Sequence, residues 1–194
     1  IPVEQSQYLN FWKATYCSLS MMISCIATNA ILTCHSKAME NVGFAKLGFF
    51  SLALMNLVTG VASLFSSFLL GLIGLKQCLV LGCLFDFSWI ILGSLPFISE
   101  DNPESQNFFL STFFIYLSQM VVSSLDGFGG AVSQVAQSSY ISECATPKTR
   151  GFYFGYFWIF QMSSHVFGSY LASKIVEYQG QDQLYMSMGL LCLV

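Results

Sequence analysis

Five long apolar stretches follow one another along the chain, roughly 8–32, 43–72, 76–98, 108–136 and 151–176, and a sixth opens near 184 and runs to 194. A bilayer core of ~30 Å takes about 20 apolar residues in helix, so each complete stretch is long enough to cross it. A soluble core has no reason to repeat that length while pushing almost every charge into the gaps. Charged residues make up only 9% of the chain against 55% hydrophobic ones, far below the roughly 25% charged residues of soluble domains. The pattern predicts an all-α, polytopic transmembrane helical bundle embedded in a lipid bilayer.

The gaps are short: Cys34–Asn41, Gly71–Lys76, Ser99–Glu104, Glu143–Arg150 and Glu177–Asp182. Short connections force neighbouring helices to run antiparallel, which predicts an up-down order. Alternation then places Lys13, Lys76, Lys148 and Arg150 on one side and Lys37, Lys46 and Lys174 on the other. The richer side, with the amino terminus, is expected to face the cytoplasm or matrix, because positive charge resists translocation. Tyr8, Phe11 and Trp12 stand where aromatic rings mark a lipid–water boundary. The sequence ends inside an apolar segment, Leu190-Leu191-Cys192-Leu193-Val194. A helix stopping there leaves carbonyls in hydrocarbon, and the expectation is of a longer natural chain.

Small residues recur every fourth position: Ser63, Ser67 and Gly71; Ser123, Gly127 and Ala131; Gly151 and Gly155; Ser164, Gly168 and Ala172. Such rows let helix backbones approach closely in lipid, and packing within the bundle is the expected use. The seven cysteines, odd in number and without a Cys-x-x-Cys pair, read as small packing residues rather than as a metal site or disulfide frame.

Three ionisable side chains fall inside the stretches: Asp86, Asp126 and His165. A charge at mid-membrane costs about 2.5–3.5 kcal/mol on the insertion scale, so each needs a partner or water. At similar depth on consecutive helices they are candidates for one intramembrane polar or proton site, with His165 able to titrate near neutral pH; hydrogen bonding that merely fixes packing is the alternative. Thr15, Ser18, Met22, Cys25 and Asn29 recur at helical spacing along the first stretch, a face expected to point into the bundle. Asn29, Gln134, Gln137 and Gln161 are candidate cavity-lining residues. No phosphate loop, zinc-binding His-Glu-x-x-His pair or nucleophile elbow is present, so no catalytic residue, metal site or cofactor is expected. A net charge of −3 without a basic run argues against nucleic acid as a partner.

From Gly43 onward the chain resembles the major facilitator superfamily, in its uncoordinated-ninety-three-like branch of ion-channel regulatory proteins. The likeness is carried by Ala131-Val132-Ser133-Gln134-Val135-Ala136-Gln137-Ser138-Ser139-Tyr140. After the basic gap come Gly151-Phe152-Tyr153-Phe154-Gly155-Tyr156-Phe157-Trp158, Gln161-Met162-Ser163-Ser164 and Phe167-Gly168. In that branch a similar Ala-Gln-Gly/Ser-x-Tyr end of the fourth helix precedes a fifth helix that opens Gly-x-x-x-Gly-x-Phe-Trp. The resemblance implies the N-terminal six-helix half of a two-lobed fold whose substrate path lies between the lobes. Its Gly-x-x-x-Asp-x-x-Gly-Arg-Lys-like turn is degraded here: Ser67 stands at the first Gly, Gly71 at the Asp, and Leu75-Lys76 at the basic pair, while Gly74 is kept. The missing acid argues against ordinary transporter cycling.

Three functions compete. The first is a transporter-like protein of unassigned substrate, with a second half of the same fold as partner. The second is a scaffold that regulates a channel or another membrane protein. The third is an accessory structural subunit of a larger membrane assembly such as a respiratory complex. The plasma membrane, endomembranes and the mitochondrial inner membrane all fit this composition.

Overall fold

The computed structural model describes residues 3–101 and 108–192. Among them all regular secondary structure is helical: α1 (Val3–Asn41), α2 (Ala45–Ser63), α3 (Ser66–Ile73), α4 (Leu75–Leu92), α5 (Leu95–Asp101), α6 (Thr112–Cys144), α7 (Arg150–Gln179) and α8 (Gln181–Cys192), with one 3-10 turn at Phe108–Leu110. Asn102, Pro103 and Glu104 of the acidic gap, Leu193 and Val194, and the side chain of Tyr8 lie outside the described residues.

Among the described residues, three segments are long and apolar enough to cross a membrane: Asn10–Asn41, Ala45–Ser63 and Leu75–Glu100. That is compatible with integral membrane localisation. The count is lower than the five complete crossings expected from the sequence. α6 and α7 have the length, 33 and 30 residues, but not the apolarity. Gln119, Asp126, Gln134, Gln137 and many serines dilute α6, and Gln161, His165 and Lys174 dilute α7. Large apolar side chains cover the outside, among them Phe49, Leu64, Phe68, Phe113, Ile159 and Val166, a surface too greasy for water to favour.

The helices differ from the apolar stretches chiefly in three places, and helix also covers Ser99–Asp101 and all of the Glu177–Asp182 gap but Gly180. Cys34–Asn41, which looks like a gap, forms the last two turns of α1; the chain reverses only at Gly43, whose φ of 81° suits a residue without Cβ. The second stretch is broken at Leu64–Phe65, where the N–H groups of both residues bond three positions back, to Val61 and Ala62. The hydroxyls of Ser63 and Ser66 donate to the carbonyls of Gly60 and Ala62, both at 2.8 Å, which bends helices. The third breaks at Gly93–Ser94, just before Pro96, which has no N–H to give to the preceding turn. Between α3 and α4, Gly74 (φ 93°) makes the tight reversal.

Two buried clusters fix the topology. Near one end Ala14 of α1, Ile141 and Cys144 of α6, and Tyr153 and Phe157 of α7 pack together. Toward the other lie Ala27 to Met39 of α1, Trp89 and Ile90 of α4, Val122 of α6, Ala172 of α7, and Leu184, Tyr185 and Met188 of α8. Starts of α1 and α7 meet the end of α6, and ends of α1, α4 and α7 meet the starts of α6 and α8. The long helices therefore alternate in direction. The closest partnerships are α1 with α7, and α6 with both α4 and α2.

Two of the four small-residue rows make these partnerships. In α6, Ser123, Gly127 and Ala131 are buried, and a Cβ on Gly127 would collide with the Met55 carbonyl of α2. In α7, Gly168 lies beneath α1, where an added Cβ would stand 2.9 Å from the Ile26 carbonyl oxygen. Gly151 and Gly155 face open space, and Ser67 and Gly71 are exposed.

Gly127→Ala is expected to wedge α6 from α2 at a cost of about 1–3 kcal/mol, the usual price of overpacking. Gly60→Ala, on an exposed face of α2 where an added Cβ meets nothing, should be neutral or raise stability by about 0.5–1 kcal/mol. Melting temperatures of the two variants in one detergent give the comparison.

Candidate functional site

α1 sets the first wall. Its polar face, expected to point inward, does so against α7: the Thr15 hydroxyl lies 3.3 Å from Tyr156 Oη, Cys25 Sγ meets the Gln161 amide at 3.4–3.6 Å, and Asn29 Nδ2 donates to Ser164 Oγ at 3.0 Å. Ser18 is buried and turns its hydroxyl to the Ala14 carbonyl. Polar groups that would be costly in lipid thus satisfy one another along the α1–α7 seam.

α6 supplies the opposite wall. Its crossing of α2 is close enough for Thr59 Oγ1, already bonded to the Met55 carbonyl, to reach the Gly127 carbonyl at 3.1 Å. One residue before Gly127, Asp126 is 5% exposed. Asp86 of α4 comes close enough for the two carboxyls to interact. Asp126 Oδ1 has no hydrogen-bond partner among the described residues.

Between these walls lies a cavity of about 280 Å³, bordered by α1, α2, α4, α6 and α7. All seven residues singled out by sequence border it: Asp86, Asp126, His165, Asn29, Gln134, Gln137 and Gln161. They do not form one bonded cluster. The two acids interact; Gln161 and Asn29 are tied to the α1–α7 seam; His165 is exposed at the rim. Met21, Leu32 and Met55 add apolar wall, and neither Lys nor Arg borders the space. Among the described residues, no three His, Cys, Asp or Glu side chains group to hold a metal ion. Cavity and acids can host an ion or a small polar solute.

A second polar centre escaped the sequence reading. His35 is 1% exposed, its ring 5.1 Å from that of Trp89. Nδ1 lies 2.8 Å from Tyr185 Oη of α8, and Nε2 lies 3.0 Å from Ser51 Oγ of α2. Ser51 donates its own proton to the Gly48 carbonyl, so its oxygen accepts from His35 Nε2–H. Nδ1 is then left with a lone pair that takes the Tyr185 proton, and the ring is neutral. Lys37, Glu40 and Asn41 disguise this stretch as a loop. The signal is the continued helical period of Ala27, Ile31, His35 and Met39, all buried.

Comparison with protein-family models, with curated proteins and with solved structures finds no match for the chain.

Tyr185→Phe should strand a buried imidazole nitrogen and cost about 1–3 kcal/mol, measured as a lower Tm in detergent. In single-cysteine variants, Cys25 and Cys83, which border the cavity, should react with a small water-soluble thiol reagent. Cys78, fully buried, should stay unlabelled.

Proposed function

We propose that the chain is a transporter-like membrane protein of the major facilitator type, built as the leading lobe of the uncoordinated-ninety-three-like branch, with the five-helix cavity as its ligand or ion site. The carrying observation is the convergence of two acids, Asp126 buried and Asp86 half-buried, and four amide side chains on a single cavity. Purely structural acids need no such space beside them. In this reading the cavity wall faces a second lobe, and the proton held between Asp86 and Asp126 is the mobile charge. His165, exposed at the rim, is the group by which that proton exchanges with water. The degraded turn between α3 and α4, with Gly71 where an acid is usual, leaves gating to other contacts. The substrate is left unassigned by this reading.

Liposomes carrying the full-length protein and loaded with a small-solute extract of cells test it. After a pH step they should move protons faster than protein-free vesicles, and Asp86→Asn with Asp126→Asn should remove the difference. Equal proton movement in the presence and absence of protein sinks the carrier reading. A flux that survives both substitutions together with His165→Gln leaves these residues a structural role only.

A further inference from the structure

We propose that the five-helix cavity takes a small neutral polyol, whose adjacent hydroxyls are held by the side-chain amide of Gln137. The inference rests on the carrier reading above and assigns its substrate class.

Bonding capacity that opens on the space decides which side chains can hold a ligand. Asn29 and Gln161 are engaged along the α1–α7 seam. The hydroxyls of Thr28, Thr59 and Ser133 are turned to backbone carbonyls of their own helices. The unpartnered oxygen of Asp126, Oδ1, is closed off from the cavity. Gln137 differs from all of these. It is only 6% exposed and lines the cavity, and among the described residues nothing hydrogen-bonds its amide. Neither amide atom is closed off in the way of Asp126 Oδ1 or the Gln119 amide. What the bundle leaves accessible of Gln137 is therefore a bare carboxamide, aimed into the cavity. A buried amide left unanswered by protein is a place for water or a ligand.

The chemistry of that group picks the ligand. A carboxamide presents an acceptor oxygen beside a donor NH2. Two adjacent hydroxyls answer both at once, one donating to the oxygen and the other accepting from the nitrogen. Charge argues for neutrality. No Lys or Arg borders the cavity, so an anion finds no counter-charge and meets Asp86 and Asp126 instead. The natural seat for a cation, the unpartnered oxygen of Asp126, is shut off from the space. Met21, Leu32 and Met55 offer apolar contact to C–H groups, and about 280 Å³ is small for a ligand pocket, which suits a solute of few carbons.

A neighbouring groove points the same way. About 410 Å³ of open space runs along α6 past Ser138, Ser139 and Ser142 and reaches Ser63 of α2, with no charged side chain on its wall. Gln134, exposed, borders this groove and the cavity alike. Hydroxyl and amide groups thus form one neutral polar track that leads from the surface to the space beside Gln137. A hydroxylated solute finds hydrogen-bond partners at each step of it.

The test uses the full-length protein in detergent micelles, with labelled erythritol as probe and 1,4-butanediol as its counterpart, of the same carbon chain but without adjacent hydroxyls. Erythritol should bind saturably in equilibrium dialysis, and 1,4-butanediol about tenfold more weakly, for want of the paired hydrogen bonds. Gln137→Leu, close in size, should lower erythritol affinity about tenfold or more. In a single-cysteine variant that keeps Cys25, on the cavity wall, bound erythritol should slow thiol labelling. In one that keeps Cys34, which lines a separate groove between α1 and α7, labelling should not change. If Gln137→Leu fails to fold, the comparison of the two diols and the protection of Cys25 decide. Absence of saturable erythritol binding, equal binding of 1,4-butanediol, full affinity in a folded Gln137→Leu, or unslowed labelling of Cys25 overturns the proposal. Displacement of erythritol by an equal concentration of ethylammonium or acetate overturns it as well. If the extract-loaded liposomes still move protons while erythritol does not bind, only the polyol assignment fails. If neither occurs, the carrier reading falls with it.

Discussion

The backbone contact between α6 and α2 at Gly127 is the constraint on which the site depends. With no Cβ at Gly127, the Met55 carbonyl lies directly against α6, and Thr59 ties the same turn of α2 to the Gly127 carbonyl. On the other side of α6, Gly82 of α4 sits so close to Ser133 that an added Cβ would stand 2.6 Å from its side chain. α6 is thereby clamped between two helices at distances only small residues permit. Asp126 is carried into that clamp and cannot swing out to solvent. It meets Asp86 because α4 is held just as tightly.

Burial of polar groups in this bundle is graded by how completely each is answered. The α1–α7 seam is answered: Asn29 has Ser164, and Gln161 has Cys25. The His35 centre is answered on both ring nitrogens, and Trp89 Nε1 donates to Ser123 Oγ at 3.1 Å. Gln119, 1% exposed, has neither amide atom paired, and Asp126 leaves one oxygen bare. Unpaired buried polar atoms cost about 1–3 kcal/mol each, and a chain tolerates them where water, an ion or a ligand completes them. The two exceptions fall on one helix, seven residues apart and so nearly in line along it. Among the described residues, the buried side-chain atoms left without a partner therefore all lie on α6.

Much of this was legible in the sequence for a simple reason: helical period and the cost of polarity in apolar surroundings are local rules. They placed the polar face of α1 inward, and they singled out Asp86, Asp126, His165 and the four amides now seen around one cavity. What the sequence hid depends on partners far along the chain. Nothing local distinguishes the row Ser123–Gly127–Ala131, which packs, from Gly151–Gly155, which faces open space. His35 was masked by charged neighbours on the outer face of its own helix, and its partners come from 16 and 150 positions away. The breaks at Leu64–Phe65 and Gly93–Ser94 arise from serine hydroxyls and a proline that hydropathy alone passes over.

The polarity that disqualifies α6 as an ordinary apolar span is the same polarity that builds the site. A helix carrying Gln119, Asp126, Gln134 and Gln137 is poorly suited to lipid on all sides, yet its exposed positions include Phe113, Leu117 and Val121. Its buried positions mix Gln119, Ser123, Asp126 and Gln137 with Ile115, Val122, Val132, Ala136 and Ile141. Buried polar side chains on a helix whose exposed positions are large and apolar suit a bundle surrounded by lipid. Replacing the buried polar residues of α6 by leucine would produce a better membrane span and abolish the acid pair. The distribution of polarity within α6 is compatible with membrane embedding, and three of its polar side chains, Asp126, Gln134 and Gln137, border the cavity.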